Sequence, residues 1–170
     1  MSAPAVIDSL EFARSEQQVS GSVPVASLKR LEDVLFDTAG DLDYQLRGTR
    51  DARKRPQLAL SVSGRLHLQC QRCLGLLDYR LEVASILMPV TRGAPLDEDL
   101  DEPEAPDVIE ASAEQEIGEL IEDEVLLSLP LAPRHPEGAC ESRVGAQNEA
   151  GQSTSAFATL ATLRRSLDKH

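Results

Sequence analysis

Polar and apolar residues alternate along the middle of the chain. Three runs show this pattern, over residues 42–46, 58–68 and 76–90. A period of two is typical of a half-buried β-strand, so these runs predict three strands. Short polar turns separate them, which indicates an antiparallel meander with successive turns at opposite ends of the sheet.

The chain before this meander predicts two shorter strands and a helix. Residues 6–12 can form a short strand, and residues 18–23 alternate polar with apolar side chains. Pro24 suits the first turn of a helix over 25–37, which Gly40 would end. Its apolar residues fall on one face at helical spacing: Leu28, Leu31, Val34 and Leu35.

The second half of the chain predicts an acidic connection and an amphipathic helix. Residues 92–111 are rich in Asp, Glu and Pro, which favours a flexible segment. Ser112 and Gln115 have the spacing of a capping box, and Pro130 ends the helix that follows. The apolar face of this helix comprises Ile117, Leu120, Ile121, Val125 and Leu127. Its predicted outer face comprises Glu114, Glu116, Glu119, Glu122, Asp123 and Glu124.

Together these elements predict an α+β fold. An antiparallel β-meander, either open or curled into a barrel-like sheet, would pack with two to three helices. A chain of this length buries about 68–70% of its unfolded surface, enough for a core without disulfides. The predicted parts are a main domain over 1–133 that includes the acidic segment 92–111, a linker over 134–153 with His135 and Cys140, and a C-terminal helix over 154–170.

Composition and charge narrow the class of protein. The chain has 3 cysteines among 170 residues, an odd number, and shows no secretory leader, so we expect a cytoplasmic protein. Its longest apolar runs are far short of the roughly 20 residues that span a bilayer, which predicts no membrane segment. The net charge of −12 lies in the second half, because residues 91–170 carry 6 Lys/Arg against 18 Asp/Glu.

This acidic half has two interpretations. It repels nucleic-acid phosphates and attracts basic proteins, which predicts a partner-binding face at Glu119, Glu122, Asp123 and Glu124. The alternative is a solvated acidic connection followed by a polar helix face with no partner.

The cysteines offer the clearest candidate chemistry. Cys70 and Cys73 lie at a turn between strands with two residues between them, which is the half-site arrangement of zinc knuckles and ribbons. Zinc binds four ligands in structural sites, and His135 and Cys140 supply two more at ligand-like spacing. The sequence thus predicts one structural zinc ion; free thiols and a redox pair are the alternatives.

A basic turn lies between the first two strands of the meander. Its cations are Arg47, Arg50, Arg53, Lys54 and Arg55. Arginines at a hairpin tip can contact several phosphates, which makes this turn the candidate nucleic-acid surface. A solvated turn balanced by nearby aspartates is the alternative. No phosphate-binding loop, metalloprotease motif or catalytic Ser/His/Asp spacing occurs, so nothing in the sequence indicates an enzyme.

Three segments resemble the bacterial YceD family, the large ribosomal RNA subunit accumulation proteins. They are LHLQCQRCLGLLDYRLEV over 66–83, IEDEVLLSLPLAPRHPEGAC over 121–140 and SAFATLATLRRSL over 155–167. Members of the family share the Cys-Gln-Arg-Cys hairpin, the acidic helix, the His-x4-Cys loop and the C-terminal element. One departure is Ser155-Ala156-Phe157, where the family usually has Asn-Pro-Phe.

The resemblance implies a non-enzymatic factor in ribosome biogenesis. Such a protein supports the synthesis, processing or accumulation of 23S ribosomal RNA, through a large-subunit ribosomal protein, a pre-ribosomal particle or ribosomal RNA. The family has also been described as metal-binding and nucleic-acid-binding, which agrees with the ligand set above. Two alternatives stay open from the sequence: a zinc- or redox-responsive regulatory protein, and an RNA-processing enzyme whose site the sequence does not reveal.

Overall fold

The computed structural model describes residues 6–95 and 105–140, which belong to a compact unit that ends at Cys140. Within these residues the chain forms seven strands and two α-helices. In chain order they are β1 (Val6–Ile7), α1 (Ser9–Arg14), β2 (Gln18–Pro24), β3 (Asp41–Arg50), β4 (Pro56–Gln69), β5 (Leu76–Val90), β6 (Asp107–Glu110), β7 (Gln115–Glu116) and α2 (Ile117–Ser128).

The predicted meander is confirmed, and it forms the centre of the molecule. Five strands make one sheet in the order β2-β3-β4-β5-β6, with antiparallel pairing from β2 to β5 and a parallel β6. The sheet is open, with β2 and β6 as its outer strands, so it does not close into a barrel. With α1 and α2 packed against it, the α+β prediction is also confirmed.

One face of the sheet carries the core. Leu46, Leu60 and Leu81 lie on alternating positions of β3, β4 and β5 and are at most 1% exposed. Burying a leucine side chain contributes about 1.5–3 kcal/mol, so this alternation supplies much of the driving force for folding. The α2 residues Ile117 and Ile121 complete the same cluster.

Residues 6–12 do not form the single strand predicted. Only Val6–Ile7 is a strand, and Asp8 then begins α1 by accepting the backbone N–H of Glu11 at 2.8 Å. This side-chain cap favours a helix over further strand. The helix packs closely on β3, where a Cβ added to Gly48 would lie 2.4 Å from the carbonyl oxygen of Phe12. Glycine is therefore required at this contact.

The predicted helix over 25–37 is wrong. The chain forms two short 3₁₀ turns, Val25–Ser27 and Lys29–Leu31, which meet at Leu28. Leu28 and Leu31 are buried as the helical spacing suggested, but Leu35 forms a bridge to Leu68 of β4. Val34 and Leu35 still donate to the carbonyl of Leu31, but the N–H of Phe36 donates to the carbonyl of His67 at 2.7 Å, so pairing with β4 ends the helical pattern there.

The acidic segment 92–111 contains a strand, so its prediction as wholly flexible is wrong. Residues 107–110 form β6 beside Leu87–Val90, and the N–H of Ala111 donates to the carbonyl of Val90 at 2.9 Å. Residues 96–104 lie outside the described residues. The apolar positions of β6 allow it to extend the sheet despite its charge.

The helix after the acidic segment begins later than the capping box predicts. Gln115 and Glu116 belong to β7, which pairs with β1, and α2 begins at Ile117. The hydroxyl of Ser112 accepts from the N–H of Glu114 rather than capping α2. The predicted apolar residues of α2 are buried except Leu127, which is 77% exposed.

The end of the chain lies partly outside the described residues. The predicted linker 134–153 is described as far as Cys140, and the predicted C-terminal helix 154–170 is not described. In the described part of the chain, no helix has the length and apolar character needed to cross a membrane.

Candidate metal centre

The turn between β4 and β5 brings two thiols together. Its backbone closes through two hydrogen bonds, from Cys70 N–H to the carbonyl of Gly75 at 2.9 Å and from Leu74 N–H to the carbonyl of Cys70 at 2.8 Å. Leu74 adopts a left-handed conformation with φ of 57°. Such a tight turn allows both cysteines of a Cys-x2-Cys pair to bind the same metal ion.

The chain after α2 supplies the other half of the cluster. The N–H of Gln71 donates to the carbonyl of Pro133 at 2.8 Å, which fixes this segment against the β4–β5 turn. His135 and Cys140 follow, and their ligand atoms lie with those of Cys70 and Cys73 within 4.8 Å of one another. The structure therefore brings together all four residues that the sequence predicted. We call them the Cys3His cluster.

The distances in the Cys3His cluster fit a tetrahedral metal ion. The sulfur atoms of Cys70 and Cys140 are 3.8 Å apart, and Nδ1 of His135 lies 3.4 Å from the sulfur of Cys73 and 3.8 Å from that of Cys140. Bonds of zinc to sulfur and nitrogen imply edges of about 3.8 Å between sulfurs and about 3.6 Å between sulfur and nitrogen. The four atoms thus surround a position suited to a small, tetrahedral cation.

The imidazole of His135 is oriented for coordination. Its Nε2–H donates to the carbonyl oxygen of Leu76 at 2.8 Å. Because a carbonyl only accepts, this bond fixes the proton on Nε2 and turns Nδ1 towards the thiols. Metal-bound histidines commonly use their second nitrogen in this way, which holds the ring in place.

Arg72 is a part of the site that the sequence did not predict. Its Nε–H donates to the sulfur of Cys140 at 3.0 Å, and its second amino nitrogen donates to the carbonyl of Pro136 at 3.3 Å. The guanidinium lowers the pKa of Cys140, while the thiolate raises the pKa of Arg72. Its position between the two cysteines of the Cys-Gln-Arg-Cys motif indicates that it lies near the site. The sequence alone does not show that its side chain points to Cys140.

The electrostatics of the Cys3His cluster favour a thiolate at Cys70. Burial of this side chain raises its pKa, but backbone N–H groups, first that of Cys73, outweigh the effect and lower the pKa to about 5. The N–H of Gly75 lowers the pKa of Cys73, yet burial and the neighbouring Cys70 and Cys140 leave it raised overall. Hydrogen bonding to Cys140 raises the pKa of His135. Thiolates are therefore favoured at Cys70 and Cys140, where backbone N–H groups and Arg72 stabilise them.

The cations of the basic turn lie at the other end of the sheet. Arg55 donates from Nε and from its backbone N–H to Asp51, an interaction that lowers the pKa of that carboxyl although burial opposes it. Arg50 pairs with Glu16 at 3.3 Å and donates to the carbonyl of Arg14. Much of this charge is thus engaged within the protein.

The remaining members of the basic turn are exposed. Arg47 projects from the outer face of β3, and Arg53 and Lys54 lie in the turn itself. Arg53 and Arg55 each take part in a further interaction within the protein. The structure thus gathers Arg50, Arg53, Lys54 and Arg55 at one turn and leaves Arg47 on the strand beside it.

The predicted acidic face of α2 divides into two groups. Glu122 and Glu124 are 7% and 6% exposed, so their prediction as outer-face residues is wrong. Glu122 accepts the backbone N–H of Arg30 at 3.0 Å, and Glu124 accepts the hydroxyl of Ser85 on β5. These partners satisfy the carboxylates inside the fold, which makes burial possible.

The other two members of this face remain at the surface. Glu119 is exposed, and Asp123 is half exposed and forms an ion pair with Arg30. The hydrogen bond that Arg30 donates to Asp123 raises the pKa of Arg30. Of the four carboxylates predicted as a partner surface, two are therefore accessible to solvent.

Fold and site together define an α+β protein with an open meander and a Cys3His cluster that could hold a metal ion. The chain belongs to the family described as Large ribosomal RNA subunit accumulation protein YceD, whose family model matches residues 58–164. It is 28% identical over 173 residues to the protein of that name from Haemophilus influenzae, covering 95% of this chain and 96% of the relative. No solved structure matches the chain. The family prediction is confirmed.

Proposed function

We propose that this protein supports the accumulation of large-subunit ribosomal RNA as a non-enzymatic factor in ribosome biogenesis. The observation that carries the proposal is the relation to the Haemophilus influenzae protein, whose name states that function. The match covers 95% of this chain and 96% of the relative, so it extends over the whole fold rather than one module. Relatives that align from end to end share the core of their fold.

We further propose that the protein acts through a basic ribosomal protein or a pre-ribosomal particle. A net charge of −12 disfavours binding of RNA phosphates by the molecule as a whole. Glu119 and Asp123 offer carboxylates to a basic partner on α2. Direct contact with ribosomal RNA would use the basic turn, where Arg47, Arg50 and Lys54 are exposed.

Depletion of the protein tests this role. We expect the amount of 23S relative to 16S ribosomal RNA to fall in growing cells and to recover when the protein or its Haemophilus influenzae relative is supplied. RNA sequencing and gel analysis of total RNA measure the ratio. An unchanged ratio in fully depleted cells would refute the proposal, and a purified protein that cleaves precursor RNA would identify an enzyme instead.

Paired surface variants separate the two modes of contact. E119Q with D123N is expected to reduce the ribosomal protein recovered with the tagged chain, whereas R47Q with R50Q and K54Q should leave it unchanged. Mass spectrometry and RNA sequencing of the co-purified material provide both readouts. The reverse result, with RNA lost only in the basic-turn variant, would assign the contact to RNA.

We propose that the Cys3His cluster holds one structural zinc ion. Four protein ligands fill a tetrahedral shell, which leaves no position for a catalytic water. Three thiolates and a neutral imidazole around a divalent cation leave one negative charge, and Arg72 lies where it can balance that charge. Such a closed and neutralised site favours a structural role over a redox role for the cysteines.

Substitution of Arg72 tests this arrangement with little change in fold. R72M is expected to weaken zinc binding by about tenfold, because outer-shell partners of ligands contribute factors of about 10–100. Competition against a chromophoric chelator measures the affinity. R65M removes a guanidinium from the same hairpin, where Arg65 pairs with Asp78 instead, and should leave the affinity unchanged. Equal affinities of both variants and the original protein would contradict the role of Arg72.

A further inference from the structure

Part of β5 has no strand beside it in the described residues. β4 pairs with β5 as far as the β4–β5 turn, whereas β6 on the other side reaches only Leu87–Val90. The carbonyl of Leu76 accepts from His135, so residues 77–86 form a long sheet edge. An edge of this kind presents unpaired N–H and C=O groups that can pair with another strand.

Two hydrogen bonds show which residues direct their backbone groups to this edge. The carbonyl of Val90 accepts from Ala111, beyond β6, and the carbonyl of Leu76 accepts from His135. The β4–β5 register is continuous from Leu76 to Leu87, and the β5–β6 register continues it to Val90. Because successive residues of a strand point their backbone groups in opposite directions, even-numbered residues from 78 to 86 face the edge.

The side chains of these edge-facing residues lie on the outer face of the sheet. Arg80 and Glu82 are 79% and 64% exposed, and they pair with each other on the same strand. Ile86, at one end of the edge, is 43% exposed. The edge thus carries an apolar residue at one end and opposite charges near its centre.

We infer that the β5 edge pairs antiparallel with the β5 edge of a second copy of this chain. A two-fold axis at Leu81 places Arg80 opposite Glu82 of the second copy. The same axis places Asp78 opposite Ala84. Each pair occurs twice because the interface is isologous, and opposite charges facing across strands are favourable.

The charges select this register over its neighbours. A shift that centres the pairing on Arg80 places two arginines opposite each other, and a shift that centres it on Glu82 places two glutamates opposite each other. Like charges in these positions are destabilising. A shift that exchanges odd for even residues directs the wrong backbone groups to the partner. Pairing centred on Leu81 is therefore the register that both aligns the backbone hydrogen-bonding groups and places opposite charges together.

Charge exchange tests the inference on the full-length protein. R80E alone and E82R alone each place like charges together twice, so each is expected to raise the dimer dissociation constant by about tenfold or more. The double variant R80E/E82R restores both attractive pairs and should recover the original constant. R47E, with the same charge change on the same face of β3, serves as the matched control. Sedimentation equilibrium over a wide range of concentrations measures all four.

Several outcomes would overturn the inference. A protein that stays monomeric at every concentration shows that the charges protect the edge instead of pairing it. A dimer unaffected by either single exchange uses another surface, and a dimer strengthened by E82R uses the register centred on Arg80. Circular dichroism of each variant separates a lost dimer from a lost fold. The inference is independent of the proposed role in ribosomal RNA accumulation.

Discussion

Replacing Cys70 by serine is expected to abolish binding of one zinc ion per chain and to lower the free energy of unfolding by about 3 kcal/mol or more. Cys70 is fully buried in the turn, and its thiolate is stabilised by backbone N–H groups that a serine hydroxyl cannot use in the same way. C140S should have a similar effect, because Cys140 lies in the segment that the Cys3His cluster joins to the turn. Elemental analysis and denaturant unfolding, each with and without chelator, measure the two effects.

Histidine variants give the matched control for this prediction. H135Q removes a ligand and should lose the metal, whereas H67Q changes a histidine on the same hairpin that contacts Asp37 instead. H67Q should therefore retain one zinc ion. Protein purified without chelator that contains no metal, and whose three thiols all titrate freely, would refute the zinc site.

The second large effect is expected at Gly48. G48A places a Cβ 2.4 Å from the carbonyl oxygen of Phe12 and 2.9 Å from the Cα of Ala13. Both are backbone atoms of α1, so relief requires the helix to move away from the sheet. We expect a loss of about 3 kcal/mol in the free energy of unfolding, at the upper end of the usual cost of overpacking. Urea denaturation followed by circular dichroism measures it.

A second glycine provides the comparison for this variant. Gly118 lies in α2, and a Cβ added there meets nothing within 4 Å. G118A should stabilise the protein by about 0.5–1 kcal/mol, because alanine favours a helix more than glycine does. If G48A and G118A changed stability in the same direction and by similar amounts, the close contact between α1 and β3 would be wrong.

The meander was readable from the sequence because one physical rule governs it. Strands with one buried face need an apolar residue at every second position, and the run from Leu58 to Leu68 meets this need everywhere except at Gly64. The segment with Leu28 and Leu31 has apolar residues at helical spacing and was predicted as a helix for that reason. It does not form one, because Leu35 pairs with Leu68, which lies far away in the chain. Local spacing cannot reveal such a contact.

The candidate site was predictable to a similar degree. Cysteines are few, so their spacing was informative, and their convergence with His135 is seen in the structure. Glu122 and Glu124 were wrongly predicted at the surface, because charged side chains are seldom buried without a partner. Their partners, the backbone of Arg30 and the hydroxyl of Ser85, become neighbours only when α2 packs on the sheet. The sequence does not display that packing.

The separation of the ligands along the chain has a consequence for the order of folding. Cys73 and His135 are 62 positions apart, with β5, β6 and α2 between them. A metal ion can therefore be fully enclosed only after these elements have been synthesised and have packed together. Until then, Cys70 and Cys73 offer two of four ligands, from which a bound metal ion would exchange readily. If the cluster binds zinc as proposed, slow metal exchange would mark chains that have finished folding.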